Sequence, residues 1–486
     1  MSEQQYWQIS ELFTQPESYG RDRAIGDLYN EIGGLQAYAI RSYNKALAAT
    51  HDSDARWDLM HKIADLHFEI GEPRTAMGLL IMANSLAPDR PESLYKVVEH
   101  ERNEHPAGCA GLLNALISIP ENKRHYPGRV DSIHRYGIAQ IALVVSFYCG
   151  ISDVGQYLIN ILQRATDSNE QHITTSALTN YRFYMSPIKP RKHFDFSKTL
   201  ALDNRYGDGQ IVMRSSTPSI VKDDSGYIMN TRYVNYTLQD NGTFTGPDEG
   251  FVYNLNVATK LDADFQTQSV LFESHPSVTA ATYDRGPQDV RLWRKNDGNL
   301  TFTCTTVRTD INVPWVAAGD YTEDGLQQAT VIDHSLNDNR RCEKNWVFVT
   351  DDTLVYSWSP LVIGRTSAAH TQLTHYTTID SPNYFKLFRG GTHAQSFGDN
   401  ELLFVTHAVI HVPHRVYFHF FVTLDARSLI PMRCSYPFTF SGSNVEYCAG
   451  LLVDGNDVII TYSIHDSTTH LAVFDKSYID GLLWKV

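Results

Sequence analysis

Cysteine is scarce in this chain: there are six in 486 residues, and none forms a Cys-x-x-Cys pair. Cys109, Cys149, Cys304, Cys342, Cys434 and Cys448 lie scattered, which argues against a zinc site or a disulfide framework and fits a reducing compartment. Long apolar runs are also missing. The greasiest stretch, Ile138 to Tyr148, falls short of the roughly 18 residues that a membrane helix needs, and reads as a buried helix. Positive charge is in deficit, 41 Lys and Arg against 55 Asp and Glu. The net charge of -14 argues against a general nucleic-acid binder but leaves room for a local cationic pocket. Residues 1–7 carry neither a basic nor an apolar targeting region. No signal peptide, no membrane span and a cytoplasmic location are therefore expected.

What the chain does have is length and rings. Its 486 residues suit two or three domains, and 42% of them are apolar. Aromatics make up 12%, with 27 Tyr, a richness common in β-structure and in carbohydrate clefts. Up to about residue 185 the apolar residues keep helical spacing. Helices are predicted within 29–48 and 57–70, and at about 92–103, 108–117, 131–149, 151–165 and 171–183. Ala64, Ala76, Ala83 and Pro88, broken by Gly71-Glu72-Pro73, resemble a tetratricopeptide repeat. A weaker copy runs through Leu28, Tyr29, Gly33, Ala39 and Ala46. Residues 1–188 are thus expected to form a tetratricopeptide-like helical domain, either a peptide-binding groove or a layer packed on the chain's own second domain.

From about residue 190 the texture changes to short β-branched or alternating runs divided by Asp, Asn and Gly turns. One pattern recurs five times: an acidic or Gly turn, then a Tyr, Leu, Val or Ile strand. Its turns, at Gly226, Gly298, Asp352, Asp399 and Asn456, are 72, 54, 47 and 57 residues apart. Five copies predict a five-bladed β-propeller over residues 189–486, with a β-sandwich as the alternative.

Polar residues at equivalent places in the blades should converge on the axis. Alignment of the repeats nominates Arg232, Asp289, Arg291, Lys344, His407 and Asp466, to which Arg389 and Glu446 are added. This set offers cations for a phosphate or carboxylate and carboxylates for proton transfer, the groups that glycosyl transfer needs. Asp289 and Arg291, two apart, should share one strand face. Bland readings stand beside these. Asp289 with Arg291 could close a blade as an ion pair, Lys344 could pair with Glu343 at the rim, and Glu446 could be a buried, hydrogen-bonded carboxylate. His407 and His411, four apart on a strand, would lie about 13 Å apart, too far for one metal. No metal or cofactor is expected.

These motifs resemble the five-bladed propeller of the inverting β-mannoside phosphorylases and mannosidases and of the related mannosyltransferases. Ser216-Thr217-Pro218-Ser219-Ile220 with Arg232 resembles the family's first-blade motif, and Gln288-Asp289-Val290-Arg291 its Glu-Asp-Pro-Arg. Lys344-Asn345 resembles its Lys-Asn, and Tyr462-Ser463-Ile464-His465-Asp466 its late Tyr-Gly-x-x-Asp. The resemblance implies that Asp289 is the general acid. It also implies that Arg232, Arg291 and Lys344, beside Asn345, hold sugar or phosphate, and that Asp466 holds a sugar hydroxyl. The whole chain is also similar to bacterial proteins that set tetratricopeptide helices before such a propeller. Gln288 and Val290 depart from the motif, and no His lies in 356–360, where phosphorylases carry one; this weakens free phosphate as an acceptor.

The resulting expectation is a glycosyltransferase acting with inversion on mannose or a related sugar. Its partners would be a sugar-nucleotide or sugar-phosphate donor and a glycan acceptor. A hydrolase or phosphorylase of the same clan is one alternative. A non-catalytic glycan-binding scaffold, recruiting a protein partner through its helices, is the other.

Overall fold

The computed structural model describes residues 2–120, 125–165, 167–202, 211–239, 241, 243–246, 251–275, 284–327, 329–336, 342–411 and 414–486. They divide into two compact units, Met1–Tyr184 and Met185–Val486.

The first unit is a run of helices. Ser18 and Asp52 cap the starts of Tyr19–Ile32 and Ser53–Glu69 with their side-chain oxygens. Gly33 and Gly34, both at φ +70°, end Tyr19–Ile32, so the apolar spacing expected to run from Tyr29 to Ala48 belongs to two helices, the second being Gln36–Ala48. Small residues let neighbours touch: Ala39, Ala46, Ala64, Ala76 and Ala83 are fully buried. The predicted segment 131–149 opens with a π turn, Ile133–Gly137, before the helix Ile138–Tyr148. Glu92, buried, accepts hydrogen bonds from Tyr126 and the backbone N–H of Val130 and pairs with His134. No helix is long and apolar enough to cross a membrane among the described residues.

The second unit is a five-bladed propeller. Its five sheets follow one another along the chain, and each holds one of the five predicted turns. Blade one is built on the hairpin Ile211–Asp223 and Gly226–Val234, and blade two on Gln288–Arg294, Leu300–Arg308 and Val313–Thr322. Blade three runs from Val347–Phe348 to Gln372–Ile379, blade four from Arg389–Gly390 to Pro431–Ser435, and blade five from Glu446–Asp454 to Thr468–Asp475. The ring is fastened by chain ends. Lys192–Asp195 pairs with Thr468–Asp475, so residues from the start of this unit complete the last blade. Leu483–Lys485 returns to the outer edge of blade four. Apolar residues glue blade to blade: Ile220 and Met229 pack with Ile459 and Leu471, and Val316 with Trp346 and Phe348.

Candidate functional site

A pocket of about 300 Å3 opens where the first strands of blades two to five begin. Blade two contributes Asp289, blade three's approach Lys344 and Asn345, blade four Arg389, and blade five Tyr447. Arg232, His407 and Asp466 complete the set, so seven of the nine nominated residues line one cavity. Arg291 and Glu446 are not among its lining residues.

The backbone explains how short polar residues reach in. Asp289, Asn345, His465 and Asp466 all adopt left-handed φ values, between 49° and 65°. Asn and Asp tolerate this conformation better than most residues, and such outliers cluster at functional sites. At Asp289 a register break between Gln288 and Arg291 accompanies it. The bulge breaks the alternation that should have set Asp289 and Arg291 on one face. Asp289 looks into the pocket, whereas Arg291 is 1% exposed behind it.

Arg291 therefore acts as a brace rather than an ion-pair partner for the Asp289 carboxylate. It donates to the carbonyls of Gly391 (2.7 Å) and Asp289 (3.1 Å), to Asn345 Oδ1 (3.1 Å) and to the Tyr447 hydroxyl. Tyr447 in turn donates to Asn345 Oδ1 at 3.1 Å. His393 accepts from the Phe348 N–H at Nδ1 and so donates from Nε2 to the Arg291 carbonyl. Burial holds that imidazole neutral, its pKa lowered to about 3. The Gly390-Gly391 pair is a packing device. A Cβ on Gly390 would sit 2.4 Å from the Asn345 carbonyl, and one on Gly391 2.7 Å from that of Val405.

The actual partner of Asp289 is Arg232. Arg232 is 3% exposed and spends its fork on Asn254 Oδ1 (2.8 Å), Asp289 Oδ1 (2.8 Å) and the Tyr236 hydroxyl (2.9 Å). Burial alone would lower its pKa, but Tyr236, Asp289 and Asp466 together raise it, so it is a fixed cation. Tyr236 passes a hydrogen bond to Asp466 Oδ2 at 2.9 Å, and Ser216 donates to the other oxygen at 3.1 Å. Thr217 adds a 3.2 Å bond to Asp289 Oδ1. Every bond to Asp289 falls on Oδ1; among the described residues Oδ2 has no partner and is left for the cavity.

Lys344, Arg389 and Arg415 make no hydrogen bond or ion pair among the described residues, so three side-chain cations line the pocket with no bound counter-charge. Lys344 does not pair with Glu343, whose carboxylate instead meets Trp346, Tyr356 and His334. His407 is 3% exposed, and its Nδ1 has no partner among the described residues. Burial first, then His419 and the arginines 389, 291 and 415, press its pKa well below the ordinary value. It enters the pocket as a neutral donor or acceptor. Glu446 is fully buried on the opposite strand face and accepts the N–H groups of Phe440, Ser441 and Ser443. It organises a turn, and the position beside it, Tyr447, is the one that faces the site.

Tyr236, Asp284, Arg415, Tyr417 and Tyr447 were not anticipated. Asp284 is the carboxyl that burial pushes up, against the pull of Arg232, Asn254 and Lys344. Two of these had a signal: Tyr447 follows from period-two alternation past Val445, and Arg415 from a cation at the head of a strongly apolar strand. No cluster of His, Cys, Asp and Glu suited to a metal occurs among the described residues.

Neither protein-family models nor curated proteins match this chain. Solved structures do resemble it distantly. The β-1,2-mannobiose phosphorylase from Listeria innocua, in complex with β-1,2-mannobiose, is 11% identical, with 59% of this chain and 99% of that one covered and a TM-score of 0.39. A putative glycosidase from Bacteroides thetaiotaomicron is 11% identical over 54% of this chain and 86% of that one, TM-score 0.39. A mannose phosphorylase from Leishmania mexicana, in complex with phosphate ion, is 8% identical over 62% and 85%, TM-score 0.26. Likenesses this distant identify no chemistry.

Proposed function

We propose that the propeller unit is a carbohydrate-active enzyme that transfers a glycosyl unit, mannosyl or a close relative, with inversion. One observation carries the reading: a carboxylate held by a buried arginine through one oxygen, with its other oxygen open to a cavity whose cations Lys344, Arg389 and Arg415 make no direct ion pair among the described residues. Glycosyl transfer needs a group that moves a proton at the bridging or attacking oxygen and electrostatic support for the departing anion. Asp289 Oδ2 is placed to exchange that proton. Lys344, Arg389 and Arg415 are placed to hold a phosphate-bearing leaving group. Asp466, His407 and Tyr417 offer neutral and anionic hydrogen-bonding atoms to sugar hydroxyls, and tyrosine rings offer apolar faces. The motif resemblance at Asp289, Arg232 and Lys344-Asn345 supports the same reading.

The test is incubation with sugar nucleotides, mannose 1-phosphate and manno-oligosaccharides, read by mass spectrometry. A new glycoside, or consumption of a donor dependent on an acceptor, is the expected result. Phosphorolysis or hydrolysis of a mannoside would shift the assignment to a phosphorylase or hydrolase. Binding of glycans without turnover would leave a glycan-binding scaffold.

A further inference from the structure

A second cavity, of about 440 Å3, abuts the first and shares three wall residues with it, Lys344, Asn345 and Arg389. Lys344 and Arg389 are both exposed, and among the described residues neither side chain has a hydrogen-bond or ion-pair partner. Beyond them the wall changes character. Tyr356, half-buried, supplies an accessible ring, Trp358, Phe385 and Phe388 are buried in the wall behind, and Ser357 and Ser359 supply hydroxyls beside Glu343 and Lys386. Across the face of the propeller the order is a chamber of carboxylates and hydroxyls with Arg232 and Arg415, a saddle of Lys344 and Arg389, then a chamber with the Tyr356 ring, two serines, Glu343 and Lys386.

We infer that the ligand has the same order: a sugar joined through a diphosphate to a nucleoside. The sugar would occupy the Asp289 chamber, the diphosphate would bridge Lys344 and Arg389, and the nucleoside would lie against Tyr356. This rests on the glycosyl-transfer reading and specifies its donor. The position of the cations decides between donors. Arg232 and Arg415 line the first cavity alone and Lys386 the second alone, but Lys344 and Arg389 line both; a pair of charges between two cavities suits an anion with a substituent on each side. The Tyr356 ring beside the hydroxyls of Ser357 and Ser359 suits a planar base and a ribose. The step balances without a further reagent. An acceptor hydroxyl oxygen bonds to the anomeric carbon and gives its proton to Asp289 Oδ2. The bond from that carbon to the phosphate oxygen breaks, and the nucleoside diphosphate leaves with the electron pair, its charge met by Lys344 and Arg389.

Cys342 provides a native reporter. It is exposed and lies on the wall of the second cavity, whereas Cys149 is half-buried and the other four cysteines are buried. The intact protein is alkylated with a maleimide and the labelled sites are mapped by mass. Labelling is timed alone and with GDP-mannose, UDP-glucose, UDP-N-acetylglucosamine, GDP, UDP, mannose 1-phosphate, β-1,2-mannobiose or inorganic phosphate. The expected result is that at least one nucleotide sugar, and its nucleoside diphosphate, slow Cys342 labelling tenfold or more while Cys149 is unaffected. Lys344→Ala and Arg389→Ala should each weaken that protection by about tenfold or more, the loss of one charge-assisted contact. Mannose 1-phosphate and phosphate should leave Cys342 reactive. If mannose 1-phosphate or mannobiose binds by calorimetry and no nucleotide protects Cys342, the inference is overturned and the glycosyl reading stands. If a nucleotide protects Cys342 but its sugar adds no affinity and is never transferred, the donor chamber stands and the glycosyl reading falls. If nothing in the panel binds, both fall.

Discussion

Replacing Asp289 with Asn separates chemistry from architecture at this site. The substitution keeps the shape of the side chain, and Asn accepts the left-handed backbone at φ 50° at least as well as Asp, so no backbone strain is added. The carbonyl oxygen of the amide can still take the hydrogen bonds of Arg232 and Thr217 on the Oδ1 side. What disappears is the negative charge beside Arg232 and the proton-exchanging oxygen toward the cavity. A hydrogen bond to a charged partner is worth about 1.5–3 kcal/mol and a neutral one about 0.5–1.5. The structural loss is therefore on the order of 1–2 kcal/mol, or a few degrees in thermal midpoint. The chemical loss is larger: proton transfer by a placed side chain contributes about 100- to 10,000-fold, or about 2.7–5.5 kcal/mol of barrier. Turnover on any substrate used by the wild type should fall by that factor, with KM changed little and the thermal midpoint lowered by only a few degrees. Asp289→Ala should show the same rate loss with a larger drop in stability, because alanine pays for the left-handed backbone. Turnover of Asp289→Asn within tenfold of wild type would refute the assignment and pass the role to Asp284 or Asp466.

Three further outcomes follow from other parts of the site. Tyr447→Phe removes the hydroxyl that links Arg291 to Asn345; it should cost about 1–2 kcal/mol in urea unfolding and lower turnover through a loosened Asn345, while Asp289 and its pH profile stay in place. Gly390→Ala deletes no chemical group, but its Cβ would stand 2.4 Å from the Asn345 carbonyl and force it to move, so nucleotide or sugar affinity measured by calorimetry should drop with it, and unchanged affinity would show that the Asn345 loop is not part of the site. Acid should destabilise the propeller unit: burial lowers His393 and His419 to about 3 and His407 well below its ordinary value, so below the ordinary histidine value of about 6.5 the unfolded chain binds more protons than the folded one, and stability falls as pH falls. These three groups alone predict a loss of about 4 kcal/mol between pH 7.5 and 5.5, to which His370, His411 and His470, lowered as well, add, while at more acid pH the raised carboxyls of Glu446 and Asp284 work the other way; a flat profile of unfolding midpoints over that range would show that these imidazoles are protonated in the folded state or already solvated.

How much of this was legible in the chain depended on which physical signal carried it. The five turns at Gly226, Gly298, Asp352, Asp399 and Asn456 each fall in a different sheet because a blade repeats its hairpins at fixed places. The same periodicity brought Arg232, Asp289, Lys344 and Asp466 to one pocket. Closure of the ring by Lys192–Asp195 left no such trace, since pairing across more than 270 residues has no local signature. Inside the site the strand alternation is uneven. It fails at Asp289 and Arg291, where a bulge breaks it, and holds at Glu446 and Tyr447, where it buries the first and turns the second to the cavity. The left-handed backbone at Asp289, Asn345 and Asp466 is what decides which side chains face the cavity. Asp and Asn are the residues that permit that conformation, but they are also common in every turn, so the letters alone cannot tell a strained site residue from an ordinary loop. What distinguishes the two is the support behind them. Arg291 ties together the carbonyl of Asp289 and the side chain of Asn345, and Arg232 with Tyr236 ties Asp289 to Asp466. Two buried guanidinium groups thus hold three left-handed acidic or amide residues around one cavity. Ordinary turns do not need that restraint, and a site that must keep a carboxylate oxygen and a row of cations at a set spacing does.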